Sequence, residues 1–549
     1  MITTILKYWV LLIVVVAGAG CGAGSSSSDG NGSPLSGRLL SSNGEPVAGI
    51  PIRAHRQGSN VTVTVYSNQQ GRYAFQEMVP GAYTVSIRVA EFEPVEREGV
   101  NLTPQEPVQL EFDLLSRPPA FEELTTAELL LAFPVTEKLR ATAARCSNCH
   151  PLQIALRQRR DRDQWLQTIE KMRGINNNGT MRPEEEVREI LERNRDANEE
   201  LADNFASMWG PDSPEPSYQP LPRPVEDAST GLVVTTYRIP RGDTSVTFRG
   251  DRRGVWPHDV IADPNGRYVW YTDHFTNVLG RLDPETGEFT DYPYPQDVPR
   301  DQEGAHKLLF DKGGNIWLGQ NWQNTIVKFD PRTEQFEQWT NDDRDAGRYG
   351  MFGIAPDGTV LAGSNITVDK LDPATGKFTR YPTPSSMYGV GVDSKGIAYF
   401  CERGAGKVAR LDPKTGKVTE YEPPTPDSEP RRLAIDSQDR LWFAEFKGGN
   451  IGMLDPETGE IREWKISENP YAAPYDVAVD NYNNTVWTND FNNNRVYRFD
   501  METEQVTEFL LPEPDVEIRH LYVDGSTTPA TVWIPDYSPP GQILKLQAW

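Results

Sequence analysis

Residues 145–151 read RCSNCHP, and Cys146, Cys149 and His150 carry the sharpest chemistry in the chain. A CxxCH spacing is that of covalent c-type haem attachment. Two thiols three positions apart reach the two vinyl groups of one porphyrin, and the next side chain falls under the iron. His150 is therefore the expected first axial ligand of one covalent haem c. Met172 is the expected second ligand, because Trp165, Ile169 and Met172 in DQWLQTIEKMRG share one helical face. Met181, in NNGTMRPEEE, is the alternative, with Met208 a further competitor. A thioether ligand raises the potential and suits electron transfer, whereas an open position suits ligand or peroxide chemistry.

Other residues point to export. Only Cys21, Cys146, Cys149 and Cys401 are present, too few for a disulfide framework. Lys7 precedes the apolar run YWVLLIVVVAGAG, which stops at small residues before Cys21 and has the anatomy of a secretory signal. GAGC resembles a bacterial lipobox with Gly18 in the usual place of leucine, which implies lipidation of Cys21; ordinary cleavage or an uncleaved anchor are the other outcomes. The expected location is periplasmic, or on the outer membrane or cell surface as a lipoprotein held to the membrane by its lipid. Haem attachment of this type in bacteria takes place outside the cytoplasm, which agrees.

The 549 residues exceed one core, and a formal charge of -24 excludes a phosphate-binding surface and so nucleic acid. Five segments follow in order. Residues 1–21 are the signal and lipobox, and 22–33, GAGSSSSDGNGS, have the composition of a flexible linker. Residues 34–116 alternate as an antiparallel β-sandwich, with VTVTVY and AYTVSIRV as strands. Residues 117–230 switch to helical periodicity around the haem motif, as a small all-α cytochrome c-like domain closed by a proline-rich linker. From 231 to 549 one motif recurs, LDPETGEFTDYPYP in its first copy, with aspartates at Asp283, Asp330, Asp372, Asp412, Asp455 and Asp500. Their spacing of 40 to 47 residues is that of β-propeller blades. LVVTTYRIP at 232–240 lacks a turn before it and GQILKLQAW ends the chain, so the two fragments complete a seventh blade.

Blades bring equivalent positions into rings. One ring is His258, His306, Met351, Tyr388, Arg431, Tyr475 and Arg519, on the innermost strands; another is Asp273, Gln320, Ser364, Glu402, Glu445, Asp490 and Asp536, at the ends of the second strands. Both are expected to face the central channel, with His274 and His520 at the rim and Cys401 as a small buried apolar side chain. His258, His306, Glu402, Arg431 and Glu445 are the candidate catalytic residues.

NGEPVAGIPI and GRYAFQEMVPGAYTVSI resemble the carboxypeptidase regulatory-like domain. NIWLGQNWQNTIVKFDPRT and RLWFAEFKGGNIGMLDPETG resemble the virginiamycin B (streptogramin) lyases over about 231–549. That resemblance implies a seven-bladed propeller and an elimination across an ester, by a His and a Glu fourteen residues apart near a Mg²⁺ ion in the channel. At that spacing this chain pairs Arg431 with Glu445, Tyr388 with Glu402 and His306 with Gln320; His258 meets Asp273 at fifteen. No blade keeps both residue types, and an arginine cannot accept the proton that an elimination releases. The whole arrangement resembles exported multidomain cytochromes with lyase-like repeats. It implies a haem-linked electron carrier, with a redox partner protein or a small-molecule substrate at the propeller mouth. A C–O lyase and a non-catalytic scaffold are the alternatives.

Overall fold

The computed structural model describes residues 33–549 except 121–122, 133–151, 157, 175–181, 214–217, 219, 242–254, 295–303, 321–322, 344–346, 365, 515 and 539. Cys21, Cys146, Cys149, His150 and Met181 lie outside the described residues. The architecture is multidomain and mostly β: an N-terminal sandwich-like domain, a helical segment, and a propeller-like repeat of four-stranded sheets.

The first domain runs through β1 (Leu35–Ser41), β2 (Pro51–Arg56), β3 (Val61–Tyr66), β4 (Arg72–Phe75), β5 (Gly81–Ile87), β6 (Val95–Leu102) and β7 (Val108–Leu114). One sheet has the order β4-β1-β7 and the other contains β3-β2-β5-β6. Alternation along β5 buries Tyr83, Val85 and Ile87 against Leu35, Leu39 and Phe112 of the facing sheet. This is the two-layer packing that a period of two dictates.

Six four-stranded sheets follow along the chain, each ordered from an innermost first strand to an exposed fourth. The repeated aspartate explains the sharp return between third and fourth strands. Asp283 Oδ1 accepts the amide of Glu285 at 3.0 Å, and Gly287 turns with φ +78°. Asp330 and Asp500 make the same turn, but Glu334 and Glu504 take the left-handed conformation that glycine occupies elsewhere. The side-chain cap, more than the glycine, is the constant feature of the turn.

The seventh sheet is composite. The terminal strand Gln542–Ala548 pairs with β8 (Leu232–Arg238), joining the two ends of the propeller region. β8 is paired on its other side as well: β3 of the sandwich lies antiparallel to it, Val61 opposite Tyr237 and Thr64 opposite Val234. A single eight-stranded sheet therefore runs from the propeller into the first domain. Tyr66 OH adds a 2.5 Å bond to Leu510 O, and Arg53 pairs with Glu513 at 2.6 Å.

Between these domains the helices Thr126–Ala132, Arg162–Arg173 and Arg195–Trp209 contribute to one apolar cluster. Trp165 packs on Phe205 with centroids 4.9 Å apart, and Phe205 on Trp209 at 5.8 Å. Asp161 caps the second of these helices, accepting from Gln164 N at 2.9 Å while the Gln164 side chain takes the Asp161 amide. The cluster reaches Ala90 of the sandwich and Tyr471 of the propeller, and Ala127 N donates to Asn492 O at 2.8 Å. Trp165 and Ile169 are thus part of this core, whereas Met172, on the same helix, is 42 % exposed.

Candidate functional site in the propeller channel

Four innermost strands, Pro257–Ala262, Ala305–Phe310, Pro430–Ile435 and Pro474–Asp480, are irregular against their second strands. The register shifts fall between Tyr271 and Asp273, Ala305 and Leu308, Pro430 and Leu433, and Pro474 and Val477. A bulge breaks the strict alternation of a strand, so two successive side chains can serve the same side. The pairs involved are His258–Asp259, His306–Lys307, Arg431–Arg432 and Tyr475–Asp476. All eight contribute to the channel, and they build two layers.

The layer built from the second member of each pair bridges blades that are not neighbours. Arg432 Nη2 donates to Asp259 Oδ1 at 2.9 Å and its Nη1 to Asp259 Oδ2 at 3.1 Å. The same Nη1 is 3.4 Å from Asp476 Oδ2. His520 Nδ1 meets Asp476 Oδ2 at 2.6 Å, and its Nε2 is 3.1 Å from Val260 O. Lys307 Nζ donates to Val390 O at 2.8 Å, two blades away. Burial would push the Asp259 carboxyl up, but Arg432, His520 and His258 hold it well below the usual carboxylate range. Lys307 is lowered to about 8 by burial and by Arg432.

The other layer contains the first-member ring. Tyr388 OH and Tyr475 OH meet at 2.7 Å, and the Arg431 guanidinium lies 3.3 Å from the centre of the Phe446 ring. Arg431 pairs with Glu429 at 3.0 Å. Burial raises Glu429, but Arg431, Arg403 and Lys447 together lower it to about 2. His258 and His306 stack with centroids 3.8 Å apart and planes 18° from parallel. His274 stands edge-on to both, at 4.9 and 4.6 Å. All three are buried. Desolvation lowers His258 to about 3 and His306 well below the ordinary imidazole range, so both rings are neutral at pH 7.

Several expectations are corrected by this geometry. His274 is not a rim residue but part of the histidine group, and His520 ties the composite blade to its two neighbours through Asp476 and Val260. The acids do not act as one ring: Asp273, Glu445, Asp490 and Asp536 turn onto neighbouring loops, whereas both carboxylate oxygens of Glu402 are buried without a hydrogen-bond partner. Asp490 accepts the amides of Ala473 and Asn492, each at 3.0 Å, and Asp536 accepts those of Glu517 and Ser538 at 3.0 and 3.1 Å. Asp273 accepts from Phe275 N at 3.0 Å and pairs with Arg241 at 3.3 Å. Glu445 takes Ser428 Oγ at 2.9 Å and Asn450 Nδ2 at 3.0 Å. Burial lifts Asp490 and Asp536 to about 7; burial with Glu420 nearby lifts Glu402 to about 7, and burial with Glu463 nearby lifts Glu445 to about 8.

The partners at lyase spacing accordingly go elsewhere: Arg431 to Glu429, Tyr388 to Tyr475, and His258 Nδ1 to Asp259 Oδ1 at 2.7 Å. Cys401 is buried among Tyr399, Phe443 and Leu441, as a small apolar side chain. The layer of Asp259, Lys307, Arg432, Asp476 and His520 was not anticipated. Its signal is present in the sequence as a charged residue or histidine directly after five of the seven ring positions, in HDV, HKL, RRL, YDV and RHL.

Residues 295–537 match the virginiamycin B lyase family and residues 34–115 match the carboxypeptidase regulatory-like domain. No curated protein sequence matches the chain. Among solved structures, a streptogramin B lyase is similar at 22 % identity and a TM-score of 0.50, over 59 % of this chain and 99 % of that one. A virginiamycin B lyase from Staphylococcus aureus is similar at 22 % identity and a TM-score of 0.46, over 53 % of this chain and 95 % of that one. At this identity the likeness concerns the fold, and the chain carries a virginiamycin B lyase-like propeller behind a carboxypeptidase regulatory-like domain.

Proposed function

We propose that the chain is an exported electron carrier with one haem c, anchored through a lipid on Cys21, whose propeller mouth receives a redox partner protein or a small-molecule substrate. The observation that carries the reading is the donor set itself: Cys146 and Cys149 at the attachment spacing with His150 next to them, in a chain with four cysteines of which Cys401 is buried in a blade. Two thiols and an adjacent imidazole fit a covalently held porphyrin, and the group so held supplies reversible one-electron chemistry at iron.

The chain's own residues do the positioning. The helices that flank the motif in sequence, Thr126–Ala132 before it and Arg162–Arg173 after it, meet in the cluster of Trp165, Phe205 and Trp209. Thr126 Oγ1 and Gln153 Oε1 lie 3.0 Å apart across the two sides of the motif, and Gln153 Nε2 donates to Pro514 O of the propeller at 3.1 Å. Met172 would be the second side chain to hold the iron, and its exposure leaves its thioether accessible rather than locked in the core.

Matured protein should show a reduced-minus-oxidised haem spectrum that disappears in the Cys146→Ser/Cys149→Ser variant. A colourless, correctly exported protein refutes the proposal. The elimination reading is checked by incubation with a streptogramin B and Mg²⁺. Linearisation of the depsipeptide by the colourless variant would put the lyase in first place.

A further inference from the structure

The three histidines at the junction of the first two blades have no task in electron transfer as proposed above. His258 and His306 come from the innermost strands Pro257–Ala262 and Ala305–Phe310, and His274 directly follows the strand Val269–Asp273. One ring nitrogen from each lies within 4.8 Å of the others. His258 Nε2 and His306 Nε2 are both buried and make no hydrogen bond. Two such nitrogens in one place cost free energy unless something takes their lone pairs or protons.

The surroundings orient the rings as ligands. His258 Nδ1 is held by Asp259 Oδ1 at 2.7 Å, and Asp259 in turn is held bidentately by Arg432. A carboxylate on one ring nitrogen fixes the tautomer and directs the other nitrogen inward, the usual outer support of a metal-bound imidazole. His274 Nδ1 lies 2.5 Å from Tyr537 OH, a contact that fixes how this ring is turned.

The geometry points to a site for one borderline divalent cation, of the Zn²⁺, Co²⁺, Ni²⁺ or Cu²⁺ class, held by His258, His274 and His306 at the junction of the first two blades. Three imidazoles suit these ions and not Mg²⁺, which takes oxygen donors. The trio therefore differs in kind from the Mg²⁺ that the lyase resemblance implies. Nitrogens about 2.0–2.1 Å from a common ion lie closer together than 4.8 Å, so binding unstacks His258 from His306 by turning the rings about χ2. Three protein ligands leave a fourth position for water or for a donor atom of a bound molecule.

The test uses the full chain, stripped with chelator and titrated with Zn²⁺, in wild type and in the Cys146→Ser/Cys149→Ser background, where no thiol pair competes. The expected result is one tightly held Zn²⁺ per chain by calorimetry and elemental analysis. A zinc-edge X-ray absorption spectrum should show imidazole scattering. Excess Mg²⁺ should not displace the ion. His306→Ala should weaken binding at least 100-fold. Tyr537→Phe, which keeps the ring and removes only the hydroxyl on His274, should weaken it about 10-fold or more, and it carries the test if the alanine variant does not fold. Absence of stoichiometric Zn²⁺ in both backgrounds overturns the inference, as does a spectrum without imidazole or an affinity unchanged by both substitutions.

Discussion

Arg432 is the residue on which the channel network turns, and replacing it with methionine is the most informative perturbation of the fold. Its side chain is 2 % exposed and faces two carboxylates, Asp259 and Asp476, both also buried. Removing one partner of a buried charge pair costs about 3–5 kcal/mol, because the charge left behind is neither paired nor hydrated. Each carboxylate keeps one imidazole here, His258 at 2.7 Å for Asp259 and His520 at 2.6 Å for Asp476. The loss should therefore fall at the lower end, about 3 kcal/mol. Urea unfolding followed by tryptophan fluorescence reads it directly, since Trp442 and Trp487 sit in the blades that Arg432 and Asp476 belong to. The triple variant Asp259→Asn/Arg432→Met/Asp476→Asn removes the charges together and should recover most of the loss. A cost of Arg432→Met below about 1 kcal/mol, the size of an exposed pair, or a triple variant no more stable than the single one, would refute this account.

Glu445 is raised to about 8 by burial, so the folded chain holds a proton there that the unfolded chain releases above the ordinary value of 4.5. Its contribution is fully present below 4.5 and is lost as pH rises through about 8, so Glu445→Gln should gain stability relative to wild type across that window, measured as unfolding midpoints against pH. Gly452 faces the Phe443 ring, where a Cβ would stand 2.3 Å from the ring edge; Gly452→Ala should cost about 1–3 kcal/mol in the same unfolding assay. Met172→Ala should change the axial-ligand signature and lower the potential of the matured haem protein in a spectroelectrochemical titration. If Met181→Ala does so and Met172→Ala does not, Met181 is the ligand.

The propeller was legible because its turn is written six times, and Asp283 and its equivalents cap the turn by a local hydrogen bond that depends on few distant residues. The pairing of the two ends of the propeller region was legible for the same reason: half a repeat at 232–240 needs the other half. The channel was legible only in part. A register count assumes that alternate side chains face alternate ways, and the bulges at Ala305/Leu308 and Pro430/Leu433 break that assumption where the chemistry sits. The histidine group was missed because His274 follows its strand and enters from a loop, outside any strand register. The ring of acids was placed correctly at the ends of the second strands but assigned to the wrong neighbours, since a spacing says where a carboxylate starts and not which amides it accepts. Periodicity likewise put Trp165, Ile169 and Met172 on one face, but only the first two enter the core.

The double pairing of β8 bears on how the parts of the molecule can move. The chain leaves the sandwich after β7 and enters the propeller at β8, and β8 is itself zipped to β3. The intervening helical excursion therefore starts from one sheet of the sandwich, at β7, and ends on a strand paired to the other, at β8. Sandwich and propeller are joined by backbone hydrogen bonds as well as by the covalent chain, so a motion of one against the other must break the ladder between β3 and β8.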